Sequence, residues 1–206
     1  VTQPRQVFEN AARSFVDLVH KLGNECWDGP GLGEWDVRSL VGHTARALVT
    51  VQTYLDRPAS VEEITSPQGY YVAIKPVLAR DSTAAAGIVE RGRQAGADLG
   101  DDPAAAVAAL CDGALSRLGR VTGAPIIETI AGGMRLDAYL PTRTFELAVH
   151  SLDIVAATGV EHEVPSDVLG AAAELAAGIA VELGEGAHLL GALTGRHPLR
   201  ESFSVV

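Results

Sequence analysis

Apolar residues recur at helical spacing along most of the chain. Between Pro4 and Leu22, the residues Val7, Ala11, Phe15, Leu18, Val19 and Leu22 share one face; Pro4 suits a first turn and Gly23 a stop. Gly29-Pro30-Gly31-Leu32-Gly33 reads as a loop. A second helix is predicted from an N-cap near Asp36 to about Leu55, with Val37, Leu40, Val41, Thr44, Leu48, Val51 and Leu55 as its stripe. Residues 57–80 read as irregular because of Pro58, Pro67, Gly69 and Pro76, with at most a short helix around Tyr70 to Leu78. Further helices are expected over Ser82–Leu99 and over Pro103–Val121, the second capped by Asp102. The pattern then changes: β-prone Ile126-Ile127-Glu128-Thr129-Ile130, a turn at Gly132-Gly133 and a return through Met134 to Ala138 predict a short hairpin. Pro141 is expected to open a helix that Gly159 ends, and a last helix spans about Ser166 to Leu183. The architecture these elements predict is all-α, a helical bundle with one small hairpin and an extra C-terminal helix.

Composition narrows the class. With 206 residues, 47% hydrophobic and 20% charged, the chain can bury a sizeable core, and one domain over 1–206 with a tail from about residue 185 is expected. The richest apolar stretch, Val168 to Leu183, is broken by Glu174 and Glu182, so no membrane span is expected. The opening residues lack the basic-then-apolar order of a secretory signal. A formal charge of −10 argues against nucleic-acid partners. The two cysteines, Cys26 and Cys111, have neither a disulfide framework nor zinc-site spacing. Cys111, in an Ala-rich helical stretch, reads as a buried inert thiol, and a reducing cytoplasm is the expected setting.

Candidate chemistry concentrates in Arg143-Thr144-Phe145-Glu146-Leu147-Ala148-Val149-His150-Ser151-Leu152-Asp153. On a helix, Glu146 and His150 stand one turn apart, and Arg143 and Asp153 extend the same polar line. Two readings stand: the stripe is the solvated face of a buried helix, or a carboxylate and an imidazole at this spacing are two legs of a metal site. The best third ligand is His43, at the edge of the second helix's apolar stripe; a half-exposed structural histidine is the alternative there. Asp153 either orients His150 or is solvated. Tyr70-Tyr71 either lines a pocket mouth or is a packed aromatic pair.

Trp35-Asp36-Val37-Arg38-Ser39-Leu40-Val41-Gly42-His43, followed far downstream by Arg143 to Asp153, resembles the mycothiol-dependent maleylpyruvate isomerase family of the DinB-like metalloenzyme superfamily. The likeness extends over roughly residues 5 to 196, including Gly132-Gly133 and the ending Leu193-Thr194-Gly195-Arg196. The resemblance implies a DinB-like four-helix bundle holding a divalent metal, zinc before nickel, through His43, Glu146 and His150, with an open position for water or substrate. It also implies mycothiol as cosubstrate. A metal-activated thiol would add to the double bond of an unsaturated acid, allow rotation and leave, or stay on as a conjugate in transferase relatives.

Two-domain members of that family carry a C-terminal α/β domain whose arginines grip a dicarboxylate; here the residues after Pro165 read mostly as helix. Arg196 is the basic residue of the family-like ending and the candidate for cofactor binding. Arg143 is the catalytic candidate because it shares a stripe with Glu146, whereas Arg38 and Arg46 read as surface residues. The expected partners are a small-molecule substrate and a thiol, with a homodimer conceivable through small-residue faces such as Ala171-Ala172-Ala173. A different class is also open: a non-catalytic metal- or ligand-binding bundle with an accessory or regulatory role. No Gly-x-Ser-x-Gly elbow or phosphate loop is present.

Overall fold

The structure, a computed structural model, describes residues 3–80 and 84–206, with side chains described outside 77–85. Helix boundaries follow from capping chemistry. After Pro4 opens α1 (Pro4–His20), the Asp36 carboxylate accepts from Ser39 N at 2.7 Å to start α2 (Val37–Leu55). Asp102 does the same for Ala105 N at 3.0 Å to start α5 (Pro103–Arg120). The segment expected to be irregular is half helix: α3 spans Pro67–Arg80. Ser66 Oγ accepts from Gly69 N at 3.0 Å, so Ser66-Pro67 is an N-cap followed by a first-turn proline, the same signal as Asp102-Pro103. Pro76 removes one backbone bond without ending the helix. The next helix, α4, is Ala84–Asp98; the start expected at Ser82 lies outside the described residues.

The hairpin forms, but its turn is elsewhere. β1 (Ile126–Thr129) pairs antiparallel with β2 (Gly132–Arg135), Thr129 facing Gly132 and Ile127 facing Met134. Gly132 and Gly133 are therefore strand residues, and Ile130-Ala131 make the turn, held by Thr129 Oγ1, which accepts from Ala131 N and donates to Gly132 O. The glycines serve close packing: a Cβ on Gly133 would lie 2.0 Å from Val61 O, in the segment whose Glu63 and Ile64 N–H groups donate to Gly133 O.

Helix α6 (Leu136–Thr158) leaves β2 directly, so Pro141 is its sixth residue rather than its start. A proline this near the N-terminus forfeits only the bond to Asp137 O. Gly159, at φ 69°, closes it in the left-handed conformation. α7 (Ser166–Glu182) follows, then a short α8 (Gly186–Leu193) that the sequence pattern did not predict.

Helices α1 and α2 each pack against both α5 and α6, so these four close a bundle around Phe8, Phe15, Leu40, Leu48, Leu140 and Leu147. α4 lies along α2 at close range, since a Cβ on Gly42 would sit 2.2 Å from Gly96 N. α3 and α7 pack on each other and on α6. Among the described residues, no helix is long and apolar enough to cross a membrane.

Candidate metal centre

Glu146 and His150 project from one side of α6 towards His43 on α2, across the seam where the two helices pack. One ligand atom from each of the three lies within 4.8 Å of the other two. Glu146 Oε2 is 3.5 Å from His150 Nε2, and the His43 ring meets His150 edge-on at 5.0 Å between centroids. Neighbours set these orientations. His150 Nδ1 is 2.9 Å from Asp153 Oδ2, one turn further along α6, which leaves Nε2 facing Glu146. Tyr71, reaching in from α3, donates its hydroxyl proton to Glu146 Oε1 at 2.7 Å, with Thr142 O also within reach of the same hydroxyl at 3.1 Å. Trp35 stacks on His43 at 4.4 Å while its Nε1 donates to Val89 O. α4 admits that indole at Gly92, where a Cβ would come within 2.5 Å of it. His43 Nδ1 is buried and makes no hydrogen bond among the described residues.

The charges divide unevenly. Burial works against an imidazolium at His150, but the hydrogen bonds to Asp153 and Glu146 and their negative charge outweigh it and raise its pKa to about 9. For Glu146 burial again opposes charge, and the His150 hydrogen bond, Arg143, the His150 charge and the Tyr71 hydroxyl bring it down to about 2. His43 has no such support: burial first, then the neighbouring His150, lower it to about 4. The metal-free cluster at neutral pH thus holds a carboxylate, one imidazolium and one neutral imidazole.

The cluster opens on a cavity of about 590 Å³. All four tyrosines of the sequence, Tyr54, Tyr70, Tyr71 and Tyr139, border it, together with Phe145 and several aliphatic side chains. Arg143, 9% exposed, lies over the Tyr139 and Tyr70 rings at 5.0 and 5.4 Å, and its Nε donates to Thr142 Oγ1. Arg143, Glu146 and His150 of the α6 stripe therefore line a cavity, and Asp153 stands behind His150. Arg46, expected at the surface, also borders the cavity. Arg38 does not: it covers Trp27 and donates to Gly100 O. Arg196 is exposed beyond α8, bonded to Thr194 O, and is not among the residues lining the cavity. Cys111 is buried far from this chemistry, its thiol pushed up to about 11 by burial. A shallower depression of about 1210 Å³ beside α1 contains a Ser14–His162 hydrogen bond of 2.9 Å but no converging ligand set among the described residues.

Tyr54 and Tyr139 carry no signal in the sequence pattern, whereas Tyr70-Tyr71, read as a pocket mouth or a packed aromatic pair, stand on α3 and border the cavity. Tyr139 stands four residues before Arg143, a helical spacing that becomes visible once α6 is known to begin at Leu136. A family model described as the mycothiol maleylpyruvate isomerase N-terminal domain matches residues 8–155, which include His43, Glu146 and His150. The match stops short of the Leu193-Thr194-Gly195-Arg196 ending. No curated protein and no solved structure matches the chain.

Proposed function

The chain belongs to the mycothiol maleylpyruvate isomerase N-terminal domain family, and we propose that it is a metal-dependent enzyme that uses mycothiol or a similar small thiol. The reaction is isomerisation or S-transfer on a small unsaturated or electrophilic molecule. The observation that carries this reading is the convergence of His43, Glu146 and His150 within 4.8 Å at the wall of a cavity. The donor set suits a divalent ion: two imidazoles and a carboxylate leave one tetrahedral position free. A buried His43 Nδ1 beside the cluster, unpartnered among the described residues, is an orphan of the kind a ligand satisfies. His43, Glu146 and His150 would hold a divalent metal, zinc before nickel, whose Lewis acidity would favour the thiolate form of a small thiol.

The chain's own groups do the remaining work. Asp153 fixes the ring orientation of His150, and Tyr71 holds Glu146 Oε1 so that Oε2 points to the centre. Tyrosine and aliphatic side chains give the site a largely apolar wall. Arg143 holds a permanent positive charge at the cavity wall.

The test is thiol chemistry. Zinc-loaded protein, mycothiol and an electrophilic unsaturated acid are incubated, and conjugate and isomer are followed by chromatography. Consumption well above the uncatalysed rate, lost in His150→Ala, is expected. A wild-type rate equal to background with mycothiol and with other small thiols rejects the proposal.

A further inference from the structure

Arg143 is unusual among the buried polar groups of this chain. It is 9% exposed, yet its only hydrogen bond runs from Nε to Thr142 Oγ1. A guanidinium has five N–H donors, so the four on Nη1 and Nη2 have no acceptor among the described residues. No carboxylate lies within ion-pair distance of it among those residues either. The Nη donors are accessible from the cavity rather than sealed away from it, so an acceptor bound there can reach them. The same side chain borders the cavity, with the faces of Tyr70 and Tyr139 beneath it.

The rest of the lining points the same way. Arg46, Lys75 and Arg91 add positive charge, the last two from exposed positions, against the single acidic side chain Glu146. This occurs in a chain whose formal charge is −10. The walls are largely apolar, with Tyr54, Ile74, Ile88 and Val149 partly exposed and Tyr70 and Tyr139 buried beneath Arg143. At about 590 Å³ the cavity has the size of sites that take drug-sized ligands, and a short diacid such as maleate would leave most of it to water.

We infer that the cavity takes a carboxylate with a bulky apolar body, anchored by its carboxylate on the Nη edge of Arg143 with that body against the half-buried Tyr54, Ile74, Ile88 and Val149. The inference rests on the proposed function only in placing the substrate in this cavity. A carboxylate satisfies the two guanidinium nitrogens together, in the paired geometry that arginine offers and lysine does not. These apolar walls supply contact area for a bulky body that a short diacid leaves unfilled.

Calorimetry with three probes tests this without a known substrate: naphthoate, its neutral counterpart naphthalenemethanol, and maleate. Each is titrated into zinc-loaded protein and into protein stripped with chelator. Naphthoate is expected to bind about 10- to 100-fold tighter than the alcohol, and tighter than maleate, in both forms. Arg143→Gln, checked by circular dichroism for its fold, is expected to bind acid and alcohol alike. Equal binding of acid and alcohol to wild type overturns the inference without any variant. So does maleate binding as tightly as naphthoate, or no naphthoate binding at all. A preference for the acid that disappears on stripping assigns the carboxylate to the metal and overturns the role of Arg143. Because the stripped protein is measured as well, failure of the metal reading leaves this result intact.

Discussion

In the metal-free chain at neutral pH, His43 is neutral because burial lowers it to about 4, and His150 is charged because Asp153 and Glu146 hold it near 9. A metal requires both rings neutral, so uptake at pH 7 is expected to release about one proton, and from His150. Apparent affinity then rises about tenfold per pH unit from 7 and levels off near 9, which competition with a chelator at several pH values checks. The same residue gives a stability signature. Its folded pKa lies above the ordinary 6.5, so its contribution is complete below pH 6.5 and is lost as pH rises towards 9. The melting temperature of stripped protein should fall over that window. A flat profile contradicts the His150–Asp153–Glu146 pairing. His43 acts in the opposite sense, its contribution present above pH 6.5 and lost as pH falls towards 4. Tyr71→Phe removes one hydrogen bond to the Glu146 carboxylate, and a loss of about 2 kcal/mol in stability is expected. Metal affinity should weaken about 10- to 100-fold, read by chelator competition. The i, i+4 pair and Asp153 were legible in the sequence because all three sit on one helix. Tyr71 was not, because its hydroxyl arrives from another helix, and no local spacing encodes that.

Helix α3 shows what decides an element's existence when local signals conflict. Pro67, Gly69 and Pro76 suggest interruption, but Ser66 caps the start, the buried Tyr70 and Tyr71 anchor it against α6, and the helix also packs on α7. Tertiary burial outweighs the single backbone bond that Pro76 forfeits. The hairpin makes the converse point. A Gly-Gly pair is a strong turn signal, yet here the space beside Val61 is what requires Gly133, and Thr129 supplies the turn. Glycines of α2 and α5 give a paired test at this scale. Gly42→Ala forces a methyl to within 2.2 Å of the α4 backbone and should destabilise by about 3 kcal/mol through overpacking. Gly119, exposed in α5 with nothing within 4 Å of an added Cβ, should gain about 0.5–1 kcal/mol as Ala. Denaturant unfolding of both variants checks the pair; similar effects of one sign contradict the α2–α4 packing described.

At the scale of the molecule, the bundle was readable because α1 and α2 carry clean stripes that are the buried core, and α2 and α5 start at side-chain caps. What the sequence could not reveal is which faces enclose a cavity. α6 is apolar almost all round, and only its neighbours α2 and α3 determine that the Arg143–Glu146–His150 line looks inward. His43 and the α6 pair lie about a hundred residues apart in the chain, so an ion bound there would staple α2 to α6 and stabilise the folded state alone. Added zinc should therefore raise the melting temperature of stripped protein and change the fluorescence of Trp35, stacked on His43.

The most direct test is elemental analysis of protein purified without a metal-affinity tag, beside His43→Ala, Glu146→Ala and His150→Ala. About one equivalent of zinc or nickel per chain is expected in the wild type, and none in the three variants while their circular dichroism stays helical. A wild type that carries no metal and takes up none when zinc is supplied would contradict the account, as would variants that keep a full equivalent.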